Sequence, residues 1–139
     1  MSPALEQPAT LALPQAPGEP NNALEALFVP VPDPRAAAVV APPHPLMGGS
    51  MESPVVGEVA WACQKAEVAS LRFNWRGVGA SAGTPSADPA LADVDYRAAL
   101  DFLAESMPVP RVACGYSFGS LAAARAAQTA PGIRRLILE

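Results

Sequence analysis

The chain has 139 residues, half of them hydrophobic and 16% charged, with a formal net charge of −4. That length suffices for one domain with a real core, burying about two-thirds of its unfolded surface, and the composition excludes a disordered chain. No basic patch suits nucleic acid, no apolar run reaches membrane-spanning length, and the start, MSPALEQPATLALPQAPG, lacks the basic and apolar regions of a signal peptide.

Residues 1–34 hold eight of the seventeen prolines, which disfavours helix. Thr10–Leu13 and Ala23–Val29 read as short strands, with Pro14, Pro17, Gly18 and Pro20 in the loop between them. Prolines this dense fit edge strands. Residues 1–8 read as a disordered tail. The expected division is a Pro-rich flexible segment, 1–22, followed by a globular unit, 23–139.

Ala36–Ala41 (AAAVVA) is a continuous apolar run, as in a parallel strand buried on both faces. It leads into Pro42-Pro43-His44-Pro45-Leu46-Met47-Gly48-Gly49, an irregular loop. Ser53-Pro54 reads as N-cap and first helical residue of a helix to about Glu67, with Val56, Val59, Ala60, Cys63 and Ala66 inward. Ala69–Trp75 is the next strand. The turn after it, Arg76 to Gly83, invites a phosphate-loop reading. Its spacing is G-x-G-x-x-x-G and Pro85 and Pro89 intervene before any helix, so a tight structural turn is the better reading.

Asp88-Pro89 opens a second helix to about Ser106, with Leu91, Val94, Ala98, Phe102 and Leu103 inward. Asp93, Asp95 and Asp101 on it read as a solvated face and not as a metal site, since no histidine joins them. Then come the strand Arg111–Gly115, a helix to Thr129, the break Pro131-Gly132, and a last strand, Ile133–Glu139.

Between the fifth strand and the third helix stands Gly115-Tyr116-Ser117-Phe118-Gly119. In strand–turn–helix context G-x-S-x-G describes a nucleophile elbow. A sharp turn holds the serine in a strained conformation, and side chains two residues either side would collide with the neighbouring strand and helix, so glycine sits there. The helix N-terminus that follows offers free N–H groups and a positive dipole end to an oxyanion.

From residue 36 strands and helices alternate. That predicts an α/β fold, a mostly parallel sheet with helices on both faces. In such sheets sites lie outside the carboxyl ends of the strands, where Pro42–Gly49, Trp75–Gly83 and Ser117 converge. The two cysteines, Cys63 and Cys114, have no paired spacing and fit core thiols in a reduced, cytoplasmic setting.

PPHPLMGGSM, LRFNWRGVGASAG and CGYSFGS together resemble the α/β-hydrolase superfamily, and within it small bacterial hydrolases with H-P-H-P-L-x-G-G, R-F-N-[FW]-R-G-V-G-x-S-x-G and G-x-S-F-G motifs. The resemblance covers residues 23–139 and implies the N-terminal part of a three-layer hydrolase fold. It makes Ser117 the nucleophile, with the N–H of Phe118 and one near Leu46 as the oxyanion hole. His44, Arg76 and Tyr116 fall on loops at the site edge. Arg76 is expected to brace its loop through backbone carbonyls, and Tyr116 and Phe118 to line a pocket or fill core. The first His of H-P-H-P is Pro42 here, so any polar role of that position is gone.

His44, the only histidine, is a candidate base, but the superfamily order is serine, acid, histidine, which leaves it as a loop residue. After Ser117 there is no histidine and one acid, Glu139. The resemblance therefore implies an esterase-like serine hydrolase, truncated before its acid and base. It would need no cofactor or metal, and in complete form would act on a small ester, thioester or amide. The alternative is a non-catalytic fragment or pseudo-enzyme acting as an interaction module. Either would expose its last strand to self-association.

Overall fold

A computed structural model describes residues 6–14 and 22–138; the side chains of Arg134, Leu136 and Leu138 are outside it. The strands are β1 (Gln7–Ala12), β2 (Ala23–Val29), β3 (Ala36–Ala41), β4 (Val68–Phe73), β5 (Arg111–Gly115) and β6 (Ile133–Leu138). The helices are α1 (Pro54–Lys65), α2 (Pro89–Ser106) and α3 (Phe118–Thr129), with a 3-10 turn at Pro45–Met47. The strands form one sheet in the order β1-β2-β4-β3-β5-β6. β2 runs antiparallel to both its neighbours, and the other pairs are parallel, so five strands share one direction. The carboxyl ends of β3, β4 and β5 thus meet at one edge, as the alternation of elements predicts.

The period of two along β3 divides the core between the faces. Ala37, Val39 and Ala41 join Leu71 and Phe73 of β4 beneath α2 and α3. Ala38 and Val40 point the other way, with Cys114, onto Val56 of α1. β3 is buried on both faces, which explains its unbroken apolar run.

Helix ends follow the prolines. The Asp88 carboxylate accepts from Ala90 N–H at 2.9 Å, with Pro89 at the first helical position. Ser53 occupies the corresponding place before Pro54, but its hydroxyl accepts from Ser50 N–H at 3.2 Å and does not cap α1.

Two inward stripes differ from expectation. On α1, Val56 and Ala60 are buried, Val59 and Cys63 half-buried, and Ala66 exposed. On α2, Val94 is exposed, and the buried face runs through Ala92, Tyr96, Ala99 and Leu103. The helix is turned by about one residue because Tyr96, not Val94, fills the centre. Its hydroxyl donates to the Cys114 carbonyl at 3.0 Å.

The expected flexible segment, 1–22, holds β1, which pairs with β2 from Gln7 to Ala12 and buries Leu11. The sheet therefore starts before residue 23. β1 is an edge strand, as Pro8 requires, whereas β2, free of proline, lies inside the sheet. Most of the expected tail (1–5), the loop residues 15–21 and Glu139 lie outside the described residues. Among the described residues no helix is long and apolar enough to cross a membrane.

Candidate active site

β5 ends at Gly115 and α3 starts at Phe118, so the chain turns within two residues. Ser117 absorbs the turn with φ 54° and ψ −116°, a region that non-glycine residues rarely occupy. The side chain is exposed at the carboxyl edge of the sheet, and its Oγ has no hydrogen-bond partner among the described residues. The glycines are there for space. A β-carbon on Gly119 would stand 2.6 Å from the carbonyl oxygens of both Ala41 and Pro42, and one on Gly115 would strike the Gly119 carbonyl. The Tyr116 N–H donates to the Ala41 carbonyl at 3.1 Å, tying the elbow to the end of β3.

At the start of α3, Gly119 N–H donates to Tyr116 and Ser120 N–H to Ser117, each at 2.9 Å. The Phe118 N–H has no acceptor among the described residues. It belongs to the residue after the serine, at the positive end of the helix.

The loop after β3 folds around His44. Its Nδ1 accepts from Leu46 N–H at 3.1 Å, and its carbonyl accepts from Met47 N–H at 3.1 Å and Gly49 N–H at 3.0 Å. The N–H of Leu46 is therefore spent inside the loop, which corrects its expected role as an oxyanion donor. A 3-10 turn in a Pro-rich stretch leaves no periodic signal that could have shown this. Pro42, Pro43 and Pro45 carry no N–H. The N–H of His44 itself has no acceptor among the described residues. The imidazole packs on Phe118, with ring centroids 4.6 Å apart, and makes no hydrogen bond to Ser117.

Asn74 and Trp75, just after β4, anchor this loop. Trp75, 2% exposed, donates from Nε1 to the carbonyls of Pro42 and Pro43, 3.1 Å each, and meets Phe118 edge-on at 5.5 Å. Asn74 accepts from Met51 N–H at 2.8 Å and donates to Glu25 at 2.7 Å. The hydroxyl of Ser81 donates to the Asn74 carbonyl at 2.9 Å.

Arg76 braces its turn through a carboxylate, not through the backbone carbonyls expected of it. Its Nη2 lies 2.7 Å and its Nε 3.0 Å from Asp95 Oδ1, and its N–H donates to Asp95 Oδ2 at 3.0 Å. Asp95 is 1% exposed, which corrects the reading of the α2 acids as one solvated face. Residues two apart on a helix point in nearly opposite directions, so Asp93 and Asp95 cannot share a face. Asp93 pairs instead with Arg125 at 2.7 Å.

Two buried groups are held neutral below the elbow. Burial pushes the Cys114 thiol up to about 12, with a smaller push from Cys63. Burial also raises the Tyr96 phenol well above its ordinary value. Trp75, Asn74 and Tyr96 are the residues that sequence reasoning passed over as site supports, and Asp95 it placed on the surface. The available signal was the polar and aromatic N-W-R placed directly before a glycine-rich turn.

No family model matches the chain. An uncharacterised protein of Rickettsia prowazekii is 32% identical over 122 residues, 85% of this chain and 50% of that protein. An α/β serine hydrolase without a lid from Xanthomonas campestris superposes with TM-score 0.81 at 30% identity, covering 99% of this chain and 62% of its own. An α/β serine hydrolase homologue from Coxiella burnetii gives TM-score 0.81 at 25% identity, covering 99% and 63%. The chain thus spans about half the length of the curated relative and under two-thirds of these structures. Over nearly its whole length it has the α/β-hydrolase fold and resembles the N-terminal part of such a protein.

Proposed function

We propose that this chain carries the nucleophile half of an esterase-like serine hydrolase, with Ser117 as nucleophile. The carrying observation is the positive φ of Ser117 between two glycines that have no room for a β-carbon. In the reaction Ser117 Oγ bonds to the acyl carbon while a base takes its proton. The base returns that proton to the leaving oxygen or nitrogen, and water then releases the acyl group. Phe118 N–H supports the developing oxyanion. For the second donor we assign the N–H of His44 in place of Leu46. No acid–base pair for Ser117 stands among the described residues. His44 is not the base, since its Nδ1 is engaged by Leu46 and its ring rests on Phe118.

The test is a fluorophosphonate probe on the full-length protein. One adduct on Ser117, lost in Ser117→Ala, is expected. Labelling that survives this substitution rejects the assignment.

A second reading, an interaction module, is favoured by the face that carries α1. A groove of about 640 Å³ runs between Val59 and Cys63 of α1 and Val112 and Ile137 of the sheet, and Ile137 is 44% exposed at the β6 edge. Edges and apolar faces of this kind recruit other chains. On this reading the chain self-associates through β6 at micromolar concentration in sedimentation; a sharp monomer boundary refutes that.

A further inference from the structure

Resting on the hydrolase reading and its assignment of the His44 N–H as an oxyanion donor, we propose that Trp75 is a positioning residue of the site. Its indole N–H holds the Pro43–His44 peptide so that the His44 N–H stays turned away from the core, towards the place of the oxyanion.

The link is the peptide plane. No peptide bond among the described residues is cis, and in a trans peptide the carbonyl and the N–H that follows it point opposite ways. Trp75 Nε1 donates to the Pro43 carbonyl at 3.1 Å from a side chain that is 2% exposed. That bond draws the carbonyl inward and so turns the His44 N–H outward, where it has no acceptor among the described residues. The plane has little freedom to turn back. A β-carbon on Gly49 would strike the Pro43 carbonyl, so this oxygen is enclosed on that side too. Beyond it Pro45 keeps His44 extended, at φ −57° and ψ 124°, and the His44 carbonyl accepts from Met47 and Gly49 N–H.

The same indole reaches the elbow. Nε1 is shared with the Pro42 carbonyl, also at 3.1 Å, and that oxygen is one of the two against which Gly119 packs. The ring meets Phe118 edge-on, and the backbone of Phe118 supplies the first donor. One buried side chain therefore touches both halves of the oxyanion hole, and its single polar atom is spent on the two carbonyls that lead into His44. An oxyanion donor acts by being aimed before the charge develops, and losing one costs about 10²–10³ in kcat. Trp75 itself is enclosed and touches no reacting atom, so its effect passes through the His44 peptide.

The experiment uses the full-length protein. 3-Benzothienylalanine placed at position 75 alone keeps the shape of the indole and puts sulfur, which cannot donate, where the N–H was. Trp75→Phe removes the same donor with a natural residue. With p-nitrophenyl acetate each should lower kcat about tenfold or more and leave KM within about twofold, because the loss falls on the charged transition state and not on the bound ester. In nitrogen-15 spectra of the isostere the His44 amide resonance should shift or broaden, while that of Leu46, held by His44 Nδ1, stays in place. An unmoved His44 resonance, or a kcat within about twofold of the parent in the isostere, overturns the proposal. So does a loss carried by KM, which would mean that the site as a whole has loosened. If the hydrolase reading is wrong instead, fluorophosphonate fails to label Ser117 in the parent protein, while the His44 resonance still reports whether the indole holds the peptide.

Discussion

Gly119 presses against the end of β3 so closely that a β-carbon on it would stand 2.6 Å from the carbonyl oxygen of Ala41. Both sides of that contact are backbone, so neither can swing away. The elbow and the loop that begins at Pro42 are therefore one rigid unit. Whatever displaces α3 from β3 also moves Phe118 relative to His44.

Gly119→Ala should accordingly cost about 1–3 kcal/mol by overpacking. Gly57→Ala is the control. Its β-carbon would meet nothing nearer than Arg72 Nη1 at 3.5 Å, and alanine in a helix interior gains about 0.5–1 kcal/mol over glycine. Urea midpoints of the two variants should move in opposite directions. A common direction would mean that the close approach at Gly119 is relieved by a small backbone shift.

Removing the Asp95 carboxylate leaves the Arg76 guanidinium half-buried without its partner. Asp95→Ala should cost about 3–5 kcal/mol. Asp93→Ala breaks a more exposed pair and should cost about 1 kcal/mol or less. Denaturation of the two variants measures the difference. Similar losses would show that Asp95 is not the residue that holds the glycine-rich turn to α2.

What the sequence carried and what it hid divides along the range of the interactions. The bounds of α2 were legible because Asp88, Pro89 and Pro108 act on their own neighbours. The elbow was legible because its G-x-S-x-G pattern is local and Gly115 is fixed by the Gly119 carbonyl, although Gly119 itself is fixed by the distant Ala41 and Pro42. The burial of Asp95 was not, since its partner Arg76 lies nineteen residues away and helical period alone leaves a carboxylate on the surface. The use of Leu46 N–H was hidden for another reason. A histidine ring that caps a 3-10 turn is a local choice that competes with several others in a Pro-rich loop, and only the folded structure selects it.

The thiols give a pH prediction. Cys114 has its folded pKa pushed to about 12, above the ordinary 9.0, so the folded state keeps a proton that the unfolded chain releases. Its contribution to stability is full below about pH 9 and is lost as pH rises from 9 towards 12, by about 1.4 kcal/mol per pH unit. Tyr96 acts in the same sense at higher pH. Stability measured by urea should fall above pH 9, and less steeply in Cys114→Ala. At pH 8 iodoacetamide should modify half-buried Cys63 first and reach Cys114 only on unfolding. Modification of Cys114 at the rate of Cys63 in the native chain would contradict this.

The His44 ring can be separated from its acceptor atom. In His44→Asn the amide oxygen stands near the place of Nδ1 and can still accept from Leu46 N–H, whereas His44→Ala removes both acceptor and ring. We expect hydrogen exchange at Leu46 to stay slow in the Asn variant and to rise about tenfold in the Ala variant, the scale of one net hydrogen bond. Equal exchange in both would place the protection in the packing against Phe118.

Activity of the 139-residue chain follows from the unsupported serine. A hydroxyl is a weak nucleophile until a base accepts its proton. Ser117 Oγ has no hydrogen-bond partner among the described residues, and the His44 ring is turned to Leu46 and Phe118. On the proposed reading the N–H groups of Phe118 and His44 are the oxyanion donors. Enzymes stripped of their triad keep about 10³–10⁴-fold acceleration over water from such donors and from binding, and lose the larger remainder. Turnover of p-nitrophenyl acetate should therefore be negligible, and any excess over buffer should persist in Ser117→Ala. The check is initial rate against protein concentration for both chains. A saturable rate abolished by Ser117→Ala would mean that a base reaches the serine after all, from His44 or from a second chain. Comparing His44→Gln with the parent chain would then decide between those two sources.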